Sequence, residues 1–192
     1  MQSYFILQLP SDFPKLQGVH IKLRELSTND IPEITKLMTR KIARFLWEVP
    51  YPYTRKDALD LVDSSKRSFK TFQAVNLAIE YNNDLETLKK VIGIISLKNI
   101  NLTTKVSHIG YWIGEEYWGM GFGTEAVGIV LSYAFSVIGL KKICAFVYPD
   151  NKGSIRVLEK NGFKIAGQVN EFHRISGSYR NSLIFIIQNA RK

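Results

Sequence analysis

The sequence predicts an α+β fold, a mixed, mostly antiparallel sheet of seven strands flanked by helices. Three observations predict it. Apolar alternation of strand type and apolar spacing of helix type interleave in the order β-α-α-β-β-β-α-β-α-β-β. Three strand runs follow one another at 72–81, 90–99 and 105–114, and their short polar links suit hairpins. A glycine cluster, Gly119, Gly121 and Gly123, joins the third of these runs to a largely apolar helix.

Each element has its own signal. In "VHIKLREL", Val19, Ile21 and Leu23 alternate with His20, Lys22 and Arg24 as in a half-buried strand. "STNDIPEITKLMTR" supplies cap residues, Pro32 near the start, and Ile31, Ile34, Leu37 and Met38 at helical spacing. "ARFLWEVPYPYT" is rich in aromatics and proline and reads as a structured loop, and "RKDALDLVDSSKRSF" as a second helix. After the three strands, "TEAVGIVLSYAFSVIG" is apolar on most sides, the mark of a buried helix. "KKICAFVYP" is a strand, and "NKGSIRVLEKNG" a helix stopped by Asn161-Gly162. "FKIAGQVNEF" and "SLIFIIQN" close the sheet.

The chain has 192 residues, 45% hydrophobic and 22% charged, which suits one globular domain. We expect a single domain over 1–192, with 1–17 as an N-terminal extension. The one cysteine, Cys144, cannot bridge internally, which fits a reducing compartment. No apolar run reaches transmembrane length. "MQSYFILQLP" lacks the basic leader and cleavage site of a signal peptide. The expectation is a soluble cytoplasmic protein with no membrane partner. Net charge is +9, which favours polyanionic partners such as a phosphate-bearing ligand. The basic residues are scattered, so direct nucleic-acid binding is not expected. His20, His108 and His173 show no metal-ligand spacing, so no metal is expected.

Glycines between a strand and a helix present free N–H groups at the helix's positive end, where phosphate is the usual occupant. A tight turn packed on its neighbour is the competing reading. No G-x-x-x-x-G-K-[ST] occurs, which excludes a P-loop. "GFGTEA" does match the dinucleotide variant G-x-G-x-x-A. Against that stand its late position, the intervening "EEYWGM", and the lack of an acidic residue ending the next strand.

Strand "HIGYWIG", the loop "EEYWGMGFGTEA", a helix, and "KICAFVYPDNKGSIRVLEKNGF" before two closing strands resemble the GNAT superfamily of acetyl-CoA-dependent N-acetyltransferases. "YWGMGFGTEA" with "NKGSIRVLEKNGF" resembles the RimJ/RimL-like branch, which acetylates the N-termini of ribosomal proteins. The likeness covers nearly the whole chain from residue 19.

It implies the GNAT fold with a splayed central strand pair, and acetyl-CoA as cosubstrate. Trp118, Gly119, Met120, Gly121, Phe122, Gly123 and Thr124 map to the loop whose main chain holds the pyrophosphate. Trp112 and Ile113, at the end of the preceding strand, would pair with the pantetheine arm, and Asn151 and Ser154 would lie near the thioester. Asn and Ser at a helix start also read as caps. The tyrosine that protonates the thiolate in many members is replaced by Leu158, so that role is assigned to Ser154, with Tyr111 and Tyr148 in reserve. The base candidates are Glu171 and, after it, His108. Acceptor-side candidates are Trp47, Tyr51, Tyr53 and Tyr111, with Phe45 beside them and Glu48 or Glu115 attracting a cation. Lys152, Arg156 and Lys160 are set against the CoA 3′-phosphate.

The expected reaction is acetyl transfer to a primary amine by direct attack, the acceptor being a protein N-terminus. A small amine (polyamine, amino acid or aminoglycoside) is the alternative acceptor, and a CoA-binding module without turnover the alternative class. A monomer or homodimer is expected.

Overall fold

The computed structural model describes residues 10–82, 90–173 and 177–189, excluding the side chains of 171–173. Strands β1 (Leu16–Gln17), β2 (Ile21–Glu25), β3 (Val75–Tyr81), β4 (Val91–Asn101), β5 (Val106–Ile113), β6 (Lys142–Val147), β7 (Lys164–His173) and β8 (Ser178–Gln188) form one sheet. Its order is β1-β2-β3-β4-β5-β6-β8-β7. Helices α1 (Ile31–Leu37), α2 (Arg40–Ala43), α3 (Arg55–Lys70), α4 (Phe122–Ser136) and α5 (Lys152–Lys160) flank it.

The predicted α+β architecture is present, with an eighth strand that corrects the expected seven. β1 is two residues long and pairs Leu16 with Leu23, too short to show a period. The first full strand starts at Ile21, which leaves Val19 in the preceding turn, 79% exposed. α2, only four residues long, starts at Arg40 and ends where the predicted aromatic loop begins. Among the described residues no helix is long and apolar enough to cross a membrane.

Burial explains the layers. α4 packs Phe122, Ala126, Val127 and Val130 onto Leu23, Leu77, Ile95 and Ile109 on one face of the sheet. Leu158 of α5 joins the same cluster. On the other face Ile31 and Ile34 of α1, with Ala58 and Val62 of α3, pack against Ala78 and Ile94. Central strands β3 and β4 are therefore covered twice, which their near-continuous apolar runs anticipate.

Polar ties hold the ends. Thr54 and Asp57 form a capping box at the start of α3, the Thr54 N–H donating to Asp57 Oδ2 at 2.7 Å. The Arg24 guanidinium lies between two buried carboxylates. It donates in a fork to Asp30 (2.9 and 2.9 Å) and through Nε to Glu80. These partners hold its pKa above the ordinary arginine value, against the opposing effect of burial. Glu125 in the first turn of α4 accepts from the His20 N–H at 2.9 Å, which fastens the helix start to the β1–β2 turn.

Every neighbouring pair in the sheet is antiparallel except β5 with β6. That parallel pair runs only from Val106↔Lys142 to His108↔Cys144. Beyond His108 the two strands part, giving the splayed central pair expected from the sequence. The gap opens toward the C-terminal end of β5, next to the glycine loop.

Candidate active site

The gap is lined by main chain of defined orientation. The Gly114 N–H donates to the Ile92 carbonyl at 2.8 Å, which makes Gly93 and Ile113 a non-hydrogen-bonded pair of the antiparallel ladder. By alternation, Tyr111 and Ile113 turn their N–H and C=O groups away from β4, toward the side where β6 has withdrawn. The Ile113 carbonyl accepts the Trp118 indole N–H at 2.7 Å, tying the loop back to the strand. Trp112 is turned the other way: its main chain faces β4 opposite Ile94, and its indole packs with the apolar groups of α1 to α3.

The loop ends in a helix whose start is left open. Gly119 (φ +81°) and Gly121 (φ +88°) are left-handed, where glycine alone carries no Cβ penalty. A Cβ at either would meet no protein atom within 4 Å. Close packing on a neighbour, the competing reading of these two glycines, is therefore absent. The first helical bond is from the Glu125 N–H to the Gly121 carbonyl (3.0 Å), so the N–H groups of Phe122, Gly123 and Thr124 precede the ladder. Phe122 buries its ring against Tyr81, centroids 5.1 Å apart, and leaves only its main chain to the loop. Met120 is exposed, and Trp118 lies under Lys41, whose Nζ is 4.8 Å from the ring centroid.

Ser154 and Tyr111 meet across the gap. The Tyr111 hydroxyl is 3.0 Å from Ser154 Oγ and donates to the Ser154 carbonyl at 3.2 Å. Burial pushes the phenol pKa well above its ordinary value, and the bond to Ser154 offsets this only in part. Asn151 caps α5, its Oδ1 accepting from the Ser154 N–H at 3.2 Å. Leu158 is fully buried in the core.

Apart from Tyr111, which sits with Ser154, the acceptor-side candidates lie on the opposite face. His108 is half-buried, edge-on to Phe146 (5.1 Å), with the Asn99 amide 3.3 Å from Nδ1. Burial pushes its pKa below the ordinary value. Trp47 lies 6.5 Å from Phe146 and is half-exposed, as is Tyr51. Tyr53 packs among the α1–α3 apolar groups, where burial and then Asp57 and Asp60 push its phenol up to about 12. Glu48 pairs with Lys98 at 2.6 Å. Glu115 pairs with Lys41 at 3.0 Å and accepts from the Thr39 hydroxyl, and these contacts hold its carboxyl below the usual range. Each of these carboxylates thus already carries a lysine partner in a solvent-accessible pair.

Glu171 lies in β7 opposite Arg180, and its side chain falls outside the described residues, as does that of His173. Tyr148 lies under the Arg180 guanidinium, 3.8 Å from the ring centroid. Lys152, Arg156 and Lys160 are on the exposed side of α5. Cys144 is half-buried and its thiol pKa is raised by burial. Among the described residues no cluster of His, Cys, Asp or Glu could hold a metal ion.

Sequence reasoning missed Arg44, Asp150 and Arg180. Asp150 accepts from Arg44 and Arg180 at 3.2 Å each, and Arg180 also donates to the Arg44 carbonyl at 2.9 Å. These residues are far apart in the chain and form no motif, so no local signal could have found them.

Residues 20–164 match the family model described as "Acetyltransferase (GNAT) domain". The chain is 31% identical over 178 residues to "Probable N-acetyltransferase YjcK" of Bacillus subtilis (strain 168), covering 91% of this chain and 97% of that protein. It is 27% identical over 168 residues to spermidine N(1)-acetyltransferase of Escherichia coli (strain K12), covering 85% and 83%. Its fold is similar to Mycobacterium smegmatis RimJ in complex with CoA-disulfide, with a TM-score of 0.76 at 20% identity, covering 88% and 81%. With this match spanning most of its length, and a gap and glycine loop where the resemblance placed them, the chain belongs to the GNAT family of N-acetyltransferases.

Proposed function

We propose that the protein transfers acetyl from acetyl-CoA to the N-terminal α-amino group of a protein, acting as a single domain. The cofactor reading is carried by the loop 118–124. Its left-handed Gly119 and Gly121 border open space, the N–H groups of Phe122, Gly123 and Thr124 precede the helical ladder, and an anion at a helix start is stabilised by N–H groups and dipole together. The main chain of Tyr111 and the Ile113 N–H, turned away from β4 where β6 has withdrawn, suit the amide-bearing pantetheine arm, which would add to β5 as an extra strand.

The acceptor reading rests on charge. A polyamine site needs unpaired carboxylates. Among the described residues at this end, Glu48 is paired with Lys98, Glu115 with Lys41, and Asp150 with Arg44 and Arg180, leaving exposed Glu116 as a lone carboxylate, fewer than a polycation would engage. An α-amine carries one charge and has a reference pKa near ~8, against ~10.4 for lysine, so a neutral fraction exists without a strong base.

In the reaction the C–N bond forms as the C–S bond breaks; the amine loses one proton and the sulfur gains one. Ser154 relays a proton to the sulfur, taking one from solvent as it gives its own, with Tyr111 orienting its hydroxyl. His108, kept neutral by burial, and Glu171 are the candidate acceptors of the amine proton. Trp47, Tyr51 and Tyr53 border the acceptor approach.

The test is thiol release from acetyl-CoA with N-terminal peptides, spermidine and aminoglycosides as acceptors. Turnover of peptides is expected. Turnover of spermidine alone would replace the acceptor class, and CoA binding with no release on any acceptor would replace enzyme by binding module.

A further inference from the structure

We infer that Arg180 is a positioning residue. It locks the acceptor-side loop 44–54 to the β6–α5 turn, and so sets the distance between the acceptor amine and the thioester end of the site. The observation is one side chain joining three separate segments. From β8, the Arg180 Nη1 donates to the Arg44 carbonyl at 2.9 Å, where the loop begins. Its Nη2 donates to Asp150 Oδ1 at 3.2 Å and Oδ2 at 3.4 Å, on the turn immediately before Asn151. The guanidinium carbon Cζ lies over the Tyr148 ring, 3.8 Å from its centroid. Arg44 closes the triangle by reaching Asp150 Oδ2 at 3.2 Å.

Only arginine can do all of this at once. Its planar fork presents donors in two directions while its face stacks on an aromatic ring; a lysine ammonium has neither plane nor fork. Of the three charged residues Arg180 is the most buried, with 26% of its side chain exposed against 54% for Arg44 and 50% for Asp150. A shielded donor flanked by exposed partners is the member whose loss frees the others. What it holds is functional on both sides. The loop that begins at Arg44 carries Trp47, Tyr51 and Tyr53, and the turn at Asp150 leads into Asn151 and Ser154. On the neighbouring strand Glu171 stands in register with Arg180, which places this base candidate at the same point of the sheet.

The kinetic part of this inference rests on the acetyltransferase reading; the structural part does not. Amide hydrogen exchange of Arg180→Ala, read by mass spectrometry without any ligand, should show loss of protection confined to 44–54 and 148–151. Arg180→Lys and Asp150→Asn should show the same to a smaller degree. In steady-state kinetics on whichever acceptor the wild type uses, Arg180→Ala should raise the acceptor KM by about tenfold and lower kcat, because displacement of a reactant by a fraction of an ångström to an ångström is costly. Acetyl-CoA affinity should fall less than acceptor affinity, since Arg180 does not contact the loop 118–124 and reaches the cofactor side only through the Asp150–Asn151 turn. Arg180→Lys should recover little of the loss. Unchanged exchange at 44–54 in Arg180→Ala and Asp150→Asn would overturn the inference, and so would an equal rise in the KM of both substrates. A wild-type protein that acetylates nothing would instead overturn the proposed function, leaving the exchange result to stand or fall alone.

Discussion

The Tyr111 hydroxyl stands 3.0 Å from the Ser154 hydroxyl, one carried by a sheet strand and the other by the first turn of a helix 43 residues later. The pair spans the gap between β5 and α5, beside the main chain that has lost its β6 partner. Removing the serine hydroxyl should act on the chemical step. We expect Ser154→Ala to lower kcat by about a hundredfold, with acetyl-CoA affinity by calorimetry changed far less. A kcat within about threefold of wild type would assign proton delivery elsewhere.

Tyr111 should leave no mark on the alkaline side of the pH–rate profile. Burial raises its phenol above the ordinary value of 10.0, so the hydroxyl keeps its proton across the working range. The profile should show no loss of activity up to about pH 10 that Tyr111→Phe abolishes. If Tyr111→Phe removed a titration below that pH, the phenol would be ionising in the gap.

Gly123 separates a packing demand from a ligand demand. Its φ is not left-handed, and an added Cβ would sit at ordinary contact distance from Val157 (3.5 Å), Ile113 (3.8 Å) and Tyr111 (3.9 Å). Alanine there should be tolerated, and raise stability by up to about 1 kcal/mol because it is the better helix former. The methyl would stand in the gap, so acetyl-CoA affinity should drop about tenfold or more while Tm holds or rises. Equal affinity in Gly123→Ala would remove the gap as the cofactor's path.

His108 predicts an acid limb in stability. Its folded pKa lies below the reference 6.5 because burial disfavours the imidazolium. The unfolded chain therefore binds the proton more readily, and stability rises with pH in that window. The contribution is complete above about pH 6.5 and is lost as pH falls through the lower folded value. Urea unfolding at pH 7 and pH 5 should show a loss at pH 5 that is smaller in His108→Gln.

Arg24→Met should be among the most destabilising single changes in the chain. It leaves the carboxylates of Asp30 and Glu80, both nearly inaccessible, without their shared cation. Breaking a buried pair from one side costs about 3–5 kcal/mol, measurable as a lower urea midpoint.

Most of the fold was legible in the sequence because its elements are long enough to show a period. Ile21 and Leu23 are fully buried on one side of β2, while Lys22 and Arg24 remain partly accessible, as their alternation requires. What escaped were β1 and α2, whose two and four residues are too few to establish any spacing. The first residues of β8, "SYRN", also escaped, because they are polar and are held in place by pairing with β7. The glycine loop could be read because its chemistry is contiguous. The acceptor side could not: Glu48 was expected to await a cation, but it had already found Lys98, 50 positions away. Pairing across such distances is decided by the assembled fold, and no local pattern encodes it.

The short parallel ladder between β5 and β6 has a mechanical meaning. Among the described residues, main-chain bonds join the two plates of the sheet only near Lys105–His108 and Lys141–Cys144. Such a joint is a fulcrum at one end of a wedge-shaped slot. A long thin molecule seated in that slot would brace the plates apart at a fixed angle, and so stiffen the whole protein along the line where it is least stitched together.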